Sequence, residues 1–579
     1  MKIITDKIEK FLTEAGIVGE IKFKKPDPKI LDVFDYDIAI PCFNLKTRVQ
    51  DNAEGVMVAQ RIVGSLKSAR TELPFLDEVK QVSSYVNITL NAGEIANLVL
   101  RQATKKDFGA SKTGKGKKVM VEFAHPNTHK QFHIGHLRNI CTGESVARIL
   151  ENAGHKVIRA NYQGDVGMHI AKCLWGILKF PISNFQFPKA IDERVKLLGE
   201  AYAKGALAYE ESELAKKEIE VINEKIYSKK DKDINKLYKE TREWSLEYFG
   251  KIYKRVGSKF DRLYFESETF APGKDIVLVG LNKGIFKESQ GAVIFEGEKY
   301  GLHNRVFLNS RGLPVYEAKD LALARLQFQE YKPEYILHVV AKEQTDYFKV
   351  VFKAMEFTLP ESKGREKHLV YGWVSLKEGK MSSRSGNVVL GEWLLDEVKK
   401  KVAEAMKEHN VRDREGVLEK VAMAAVKYAF LRTSISNDIV FDINQSVSLT
   451  GDSGPYLQYI VARISSILKK AGRGSFGLPF RRGDAPQGQR GIEPAEKSLL
   501  LSLSEFPEVA QSAAEETDPS KIAHYLLGLA QSFNSFYGQC PVLPADEEMK
   551  KFRLAIIRAV KNVMEKGLRL LGIESVEEM

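Results

Sequence analysis

Two histidines lie three residues apart at the start of a predicted helix, in the segment His133-Ile134-Gly135-His136. This spacing places both imidazoles on one side of the first helical turn. Their N–H groups and the positive end of the helix dipole favour a phosphate there. Gly135 has no Cβ, which would let a flat base approach the backbone. The motif predicts a nucleotide site, although four residues alone are a weak signal.

Zinc binding is the alternative for this segment, because His125, His129, His133 and His136 are spaced four, four and three residues apart. Pro126 argues against one helix that carries all four imidazoles. The HExxH pattern of helical zinc sites is absent from the sequence. We therefore expect no metal ligands and no structural zinc in this segment.

The surrounding sequence has the pattern of a β–α–β unit. The apolar run VMVEF is followed by a loop with Pro126, a proline-free segment up to Gly154 and the apolar run HKVIRAN. These runs predict two parallel strands joined by a helix. In such units ligands bind beyond the carboxyl end of the first strand, and the two histidines fall at that end.

Two further segments carry candidate ligand groups. NYQGDVGMH follows the second predicted strand, and its Gly164 and Asp165 suit the close approach of a ribose whose hydroxyls donate to the carboxylate. Segment 378–387 (EGKMSSRSGN) predicts a Gly- and Ser-rich loop that carries Lys380 and Met381. Taken singly, an ordinary turn explains the glycines of the first segment equally well, and the pattern of the second favours a solvated surface turn over a catalytic loop.

The length of 579 residues predicts two to four domains. The predicted fold class is α/β, with these divisions: a small α+β domain at 1–106, a Gly/Lys-rich linker at 107–118, a Rossmann-like domain at 119–395 with insertions at about 189–312, and an all-helical bundle at 396–579. The linker imitates a P-loop, but Gly116 stands where Ser or Thr would hold magnesium, and the segment precedes a strand.

Composition narrows the class of protein. The net charge of +12 is compatible with a polyanionic partner such as RNA. Four cysteines without a CxxC pair fit a reducing compartment. The charged N-terminus lacks the apolar core of a signal peptide, and no apolar run is long enough to span a membrane. We expect a cytoplasmic monomer with no membrane contact.

With these pieces placed, the sequence resembles the arginyl-tRNA synthetases along most of its length. The matching blocks include VEFAHPNTHKQFHIGHLRN, NYQGDVGMH, GLPVYEAKDLALA, DSGPYLQYIVARI, FNSFY and EGKMSSRSGNVV, which is similar to the KMSKS loop of class I synthetases. The resemblance implies that ATP, accompanied by Mg²⁺, activates L-arginine, and that arginine is then transferred to the terminal adenosine of tRNA(Arg). It also implies a C-terminal anticodon-binding bundle, an N-terminal domain that contacts tRNA, and a need for bound tRNA before activation.

The resemblance also assigns site residues for the reaction. It implies these ATP contacts: His133, Gly135, His136, Gly164, Asp165, Lys380 and Met381. The catalytic residues would be His133, His136, Lys130 and Lys380. Alignment on Lys380 places Ser383 where the general class I loop has a second lysine, and Lys130 occupies the position where this family commonly carries a compensating one. We expect Lys130 to supply that charge; a solvated loop lysine is the alternative.

Arginine recognition calls for carboxylates, because a guanidinium is planar, always charged and forms forked hydrogen bonds. The residues that match the family's arginine site are Glu122, Asn127, Tyr316, Asp320 and Gln344. For the anticodon, the family pattern implies Tyr456, Tyr459, Arg463, Tyr537 and Met579. Aromatic and arginine side chains suit stacking on splayed bases, although at helical spacing some of them would belong to the core.

Three rival interpretations remain at this stage. A class I enzyme for cysteine would need clustered Cys or His ligands, and a methionine site would not favour Glu122 and Asp320. A non-catalytic RNA-binding relative would be expected to lose Lys130, His133 and His136. A small-molecule nucleotidyltransferase would leave the long helical C-terminal region without a role.

Overall fold

The computed structural model describes residues 2–24, 36–47, 55–179, 187–377, 389–472 and 492–579. Segment 378–387, with the predicted ATP contacts Lys380 and Met381, lies outside the described residues.

The N-terminal region is a small α+β unit. Its elements are α1 (Lys2–Glu14), β1 (Ile17–Val18), β2 (Ile38–Pro41), β3 (Lys46–Thr47), α2 (Gly55–Ser68), β4 (Leu76–Val82), β5 (Tyr85–Leu90) and α3 (Ala92–Ala103). Strands β2, β5 and β4 form an antiparallel sheet in that order, and β1 pairs with β3. Alternating burial along β5 matches a sheet with one face on the core.

The central region is built on a parallel sheet. Its elements are β6 (Lys118–Glu122), α4 (Ile134–Asn152), β7 (Lys156–Gln163), α5 (Met168–Lys179), α6 (Ile191–Glu211), α7 (Glu213–Ser228), α8 (Lys232–Arg255), β8 (Arg262–Phe265), α9 (Glu266–Asn282), β9 (Lys287–Ser289), β10 (Ala292–Phe295), β11 (Arg305–Leu308), α10 (Tyr316–Tyr331), β12 (Tyr335–Ala341), α11 (Thr345–Thr358), β13 (Glu366–Tyr371) and β14 (Val374–Leu376). The five strands run in the order β13-β12-β6-β7-β8, and every neighbouring pair is parallel. This order reverses between β12 and β6, and ligands bind at such a switch point.

The predicted insertion at about 189–312 needs correction. Strand β8 lies inside that range, yet it pairs with β7 as the edge strand of the parallel sheet. It has only four residues, and charged helical sequence precedes it, so its apolar pattern is too short to stand out. The inserted material is therefore two pieces: the helices α6 to α8, and the small antiparallel sheet of β9, β10 and β11.

In its described residues, 389–472 and 492–579, the C-terminal region is helical apart from one strand. Its elements are α12 (Gly391–Ala405), α13 (Arg414–Leu431), β15 (Ile439–Phe441), α14 (Ile443–Ser446), α15 (Gly454–Ala471), α16 (Pro494–Glu515), α17 (Ser520–Gln539) and α18 (Glu547–Leu570). Strand β15 was not expected there, and it pairs in parallel with β14. Helices α1 and α3 pack on α16, so the two ends of the chain share one hydrophobic core.

Helix α4 lies at the centre of the molecule. It packs on β6, β7 and β12 on one side and on α12, α13, α16 and α18 on the other, which explains why nearly every face of it is buried. Its fully buried Arg138 donates to four backbone carbonyls, those of Gly372, Trp373, Ile435 and Asn437, at 2.5 to 3.0 Å. The helix that carries the two histidines therefore also fixes the chain that leaves β13.

Candidate active site

The loop between β6 and α4 has an unusual backbone. Ala124, His125 and His129 all have positive φ, of 81°, 50° and 62°. Non-glycine residues rarely adopt this region, and such conformations persist where surrounding contacts enforce them. Asn139 of α4 accepts from the Ala124 N–H at 2.6 Å, and Asn161 of β7 accepts from the His125 N–H at 3.2 Å. These bonds hold the loop at the end of β6.

The two predicted histidines cap α4. The Gly135 N–H donates to His133 Nδ1 at 3.1 Å, and the His133 N–H donates to His136 Nδ1 at 3.2 Å. Their rings stack with centroids 3.7 Å apart. Burial, and then the charge of Lys130, lowers the pKa of His133 to about 4; burial also holds the pKa of His136 well below its usual value. Because each Nδ1 accepts, each neutral ring carries its proton on Nε2.

Lys130 lies beside this helix end. Its Nζ is 5.2 Å from the ring centroid of Tyr202, which belongs to α6. Its positive charge contributes to the lowered pKa values of His133, His136 and His169. An inserted helix thus holds the lysine where its field reaches both capping histidines.

A cavity of about 360 Å³ opens beside the helix end, and all five residues predicted for arginine line it. These residues are Glu122, Asn127, Tyr316, Asp320 and Gln344. Gly164 also lines the cavity, and a Cβ on it would lie 2.2 Å from Asn127 Oδ1. A larger residue at 164 would therefore displace the Asn127 amide.

Three of the four carboxylates that line the cavity are paired with cations. The pairs are Glu122 Oε1 with His338 Nδ1 at 3.0 Å, Glu266 Oε2 with Lys319 Nζ at 2.5 Å, and Glu317 Oε1 with Arg305 Nη1 at 3.1 Å. Asp320 is the exception, because its partner within the described residues is a neutral hydroxyl, that of Tyr347, which donates to Oδ2 at 2.6 Å. Asp320 thus forms no ion pair with a cation of the described residues.

The pKa of Asp320 reflects its burial without an ion-pair partner in the described part of the chain. Burial raises its pKa to about 7, the negative charge of Glu122 adds to the rise, and the Tyr347 hydrogen bond opposes it. Glu122 behaves differently. Burial alone would raise its pKa, but the charge and the hydrogen bond of His338 bring it below the usual value. The cavity therefore favours a cationic ligand next to Asp320.

Asp165, which the sequence predicts as a nucleotide contact, is placed away from solvent. Its side chain has no exposed surface. Four groups donate to its carboxylate: Arg242 Nε at 2.9 Å, Ser267 N at 2.9 Å, Ser267 Oγ at 2.8 Å and the Tyr238 hydroxyl at 3.3 Å. The carboxylate joins the inserted helix α8 to the start of α9, so Asp165 has a structural role.

The zinc interpretation finds no support in the arrangement of the histidines. His129 is buried, with its ring nitrogens 3.1 Å from the Thr128 hydroxyl and 2.8 Å from the Thr241 hydroxyl. Burial lowers its pKa to about 3. Across the described parts of the chain, no three His, Cys, Asp or Glu side chains are grouped as metal ligands.

The residues predicted for the anticodon lie on α15, on α17 and at the C-terminus. The Arg463 guanidinium is 4.5 Å from the ring centroid of Tyr537, and both side chains are partly exposed, as are Tyr459 and Met579. Tyr456 differs, because it is buried and its hydroxyl accepts from Asn534 Nδ2 at 2.8 Å. Helical spacing does not separate such a core tyrosine from a surface one, and the anticodon contact of Tyr456 stays a prediction.

Sequence reasoning missed several groups around the cavity. They are His125, Tyr162, Glu266, Arg305, Glu317, His338 and Tyr347. Four of them lie within three residues of predicted positions and could have been found by that proximity: His125, Tyr162, Glu317 and Tyr347. The others reach the site through strand register or from the inserted parts, and no local signal marks them.

The sheet order, the histidine-capped helix and the cavity beside it define a class I aminoacyl-tRNA synthetase. The family model described as "tRNA synthetases class I (R), catalytic domain" matches residues 95–443, and the "DALR anticodon binding domain" matches residues 457–579. The chain belongs to the arginyl-tRNA synthetase family.

Individual relatives agree with this assignment. An "Arginine--tRNA ligase" of Treponema denticola is 34% identical over 555 residues, which cover 94% of this chain and 93% of the relative. The solved structure of Thermus thermophilus arginyl-tRNA synthetase aligns with a TM-score of 0.79 at 25% identity over the whole of both chains. The Plasmodium falciparum arginyl-tRNA synthetase shares the fold, with a TM-score of 0.75 at 18% identity over 100% of this chain and 98% of that one.

Proposed function

We propose that the chain activates L-arginine with ATP and transfers it to the terminal adenosine of tRNA(Arg), and that the cavity beside α4 selects the amino acid. The observation that carries the proposal is Asp320, the one carboxylate of the cavity without a cationic partner among the described residues. A guanidinium supplies the missing charge and also the donors that a carboxylate pair requires.

In this proposal Glu122 and Asp320 bind the guanidinium from two sides, and Tyr316 closes the cavity toward solvent. Tyr316 is 60% exposed, and it lies one helical turn before Asp320 on α10. Asn127 and Gln344 offer amide groups for the α-amino end of the substrate. Lysine cannot fill both carboxylate forks, and each unpaired acceptor would cost about 1 to 3 kcal/mol.

For activation, the arginine carboxylate attacks the α-phosphate of ATP, and the bond to pyrophosphate breaks. The capping geometry supports His133 and His136 as neutral Nε2–H donors to phosphate oxygens. Lys130 adds a full positive charge at the same helix end. Stabilisation of the developing negative charge, together with alignment, accounts for the catalytic effect that we assign to these residues.

We assign Lys380 and Met381 to the same phosphate site. The residues that follow their segment support this, because the Ile134 N–H donates to the Val389 carbonyl at 2.9 Å and the Gly391 N–H donates to the Phe132 carbonyl at 2.8 Å. The chain therefore re-enters the described structure next to the histidine cap.

For tRNA, we propose that Tyr459, Arg463, Tyr537 and Met579 of the bundle at 396–579 contact the anticodon, with Tyr456 supporting that face from beneath. The N-terminal unit at 1–106, the linker at 107–118 and the catalytic domain at 119–395 complete the proposed division. Partial exposure of the stacked Arg463 and Tyr537 supports this role.

We further propose a cytoplasmic monomer that uses Mg²⁺ as the counter-ion of ATP. Four free, buried cysteines are compatible with a reducing compartment. Among the described helices, none has the length and apolar character to cross a lipid bilayer.

Aminoacylation with each of the twenty amino acids, with and without total tRNA, tests the proposal. Of the twenty amino acids, we expect only arginine to give a labelled tRNA product. Without tRNA we expect no product. A product with lysine or methionine, or a nucleotidylated small molecule formed without tRNA, would contradict it.

A further inference from the structure

A buried histidine links the arginine cavity to a second carboxylate behind it. His338 is the register partner of Glu122 on the neighbouring parallel strand, so both side chains lie on the same face of the sheet. His338 Nδ1 is 3.0 Å from Glu122 Oε1, and His338 Nε2 is 2.7 Å from Glu366 Oε2. All three side chains are nearly inaccessible to solvent.

The surroundings leave the imidazole little freedom. The rings of Phe348 and Phe352 on α11 each lie 5.4 Å from the His338 ring. The other oxygen of Glu122 accepts from the Gln327 amide, which is also buried. Glu122 is therefore held by one charged donor on β12 and by one neutral donor on α10, the helix that also carries Tyr316 and Asp320.

We propose that His338 is a positioning residue, which fixes the Glu122 carboxylate on the cavity wall for the guanidinium of the substrate. The inference rests on the role assigned above to Glu122 and deepens it. Arginine sites need carboxylates in a defined orientation, because forked hydrogen bonds tolerate little rotation. A second carboxylate, Glu366, keeps the imidazole in the orientation that faces Glu122.

Electrostatics agree with this geometry. Burial alone would lower the pKa of His338, but the charge of Glu122 and hydrogen bonds to both carboxylates raise it to about 10. The same interaction brings the pKa of Glu122 below its usual value despite burial. The titratable groups that face this pair from neighbouring elements are Glu366 on β13, His125 in the loop after β6, Tyr162 on β7 and Asp320 on α10. The charge of His338 lowers the pKa of His368, and His368 contributes to neither the pKa of His338 nor that of Glu122.

His338→Gln tests the role, because glutamine keeps a donor but cannot be charged or bond both carboxylates in the same way. We expect the KM for arginine to rise about tenfold or more, with the KM for ATP unchanged. The rise in KM on acidification should also begin at a higher pH than in the unmodified protein, since Glu122 would then become protonatable.

His368→Gln is the matched control. His368 lies on β13, where it is the register partner of His338, and its Nε2 is 2.9 Å from the Val340 carbonyl rather than from a carboxylate. We expect its arginine KM and pH profile to match the unmodified protein. An equal effect of the two substitutions would mean general disturbance of the sheet and would overturn the inference.

Two further variants separate the possible failures. Glu122→Gln tests the arginine site itself. An unchanged arginine KM in Glu122→Gln would contradict the role of Glu122. If the arginine KM rises in Glu122→Gln but is unchanged in His338→Gln, only the role of His338 is contradicted. If His338→Gln does not fold, Glu366→Gln takes its place. We then expect a smaller rise in the arginine KM alone, and no change would overturn the inference.

Discussion

Two carboxylates of this enzyme differ in what surrounds them: Asp165, which follows β7, and Asp320, which lies on α10. Asp165 is fully buried and accepts from four groups of the protein, one of them the cationic Arg242. Asp320 lies in the wall of a cavity and accepts from the Tyr347 hydroxyl, a neutral donor. The sequence predicts both as ligand groups, and of the two only Asp320 lines the cavity.

The difference shows how donors decide the role of an acid. A carboxylate that has no exposed surface and accepts four hydrogen bonds from the protein stabilises the fold, and it presents no free oxygen to a cavity. A carboxylate with a single neutral donor in a buried position keeps a raised pKa until a cation arrives.

The largest expected effect is on stability. Asp165→Ala leaves Arg242 and three neutral donors without their acceptor, so we expect the free energy of unfolding to fall by about 3 to 5 kcal/mol. Chemical denaturation measures it. Asp165→Asn keeps the shape of the side chain, so its free energy of unfolding should fall by less. An unchanged denaturation midpoint for Asp165→Ala would contradict the structural role of Asp165.

The next largest effect is on substrate binding. Asp320→Ala should raise the arginine KM about a hundredfold, because a guanidinium would lose a charged partner in a buried site. The KM for ATP and the unfolding midpoint should change little. Steady-state aminoacylation and denaturation measure these quantities. Equal losses of arginine and ATP affinity would count against a specific arginine contact.

Lys130→Ala probes the other end of the site. We expect the rate of arginine activation, measured by ATP–pyrophosphate exchange with tRNA present, to fall at least about tenfold with little change in ATP affinity. Lys172 is a matched control, since its Nζ lies 4.0 Å from the ring centroid of Tyr209 on the same inserted helix. Lys172→Ala should exchange at the normal rate. An unchanged rate for Lys130→Ala would defeat its catalytic role.

The smallest expected effect is the dependence of arginine affinity on pH. Since the pKa of Asp320 is about 7 without ligand and a bound guanidinium must lower it, arginine affinity should be full above that pH and should fall as pH drops below it, by up to about tenfold per unit. Tyr347→Phe removes the hydrogen bond that opposes the rise, so it should shift the fall to higher pH. Calorimetric titration at several pH values measures both, and a flat profile between about pH 6 and pH 8 would contradict the assignment.

The framework of this enzyme could be predicted from local patterns. The runs that became β6 and β7 are apolar and short, and α4 lies between a proline-containing loop and Gly154, so the β–α–β unit is visible in the sequence. The five arginine positions could be transferred by resemblance, and they line one cavity. Strand β8 could not be predicted, because four residues between charged segments carry too little periodicity.

The supporting groups depend on contacts between distant segments. Glu122 and His338 meet only because β6 and β12 pair in one register, and that pairing is set by the whole sheet. Asp165 looked like a ligand because Arg242 and Ser267, its partners, are far away in the chain. Sequence patterns located the cavity, whereas the state of each acid depends on partners that only the fold brings together.

A crystal structure of the protein with bound L-arginine tests the central claim most directly. We predict guanidinium nitrogens within about 3 Å of carboxylate oxygens of both Glu122 and Asp320, with the α-carboxylate directed toward the histidine cap of α4. Arginine bound with its guanidinium away from these two acids, or outside this cavity, would contradict the account.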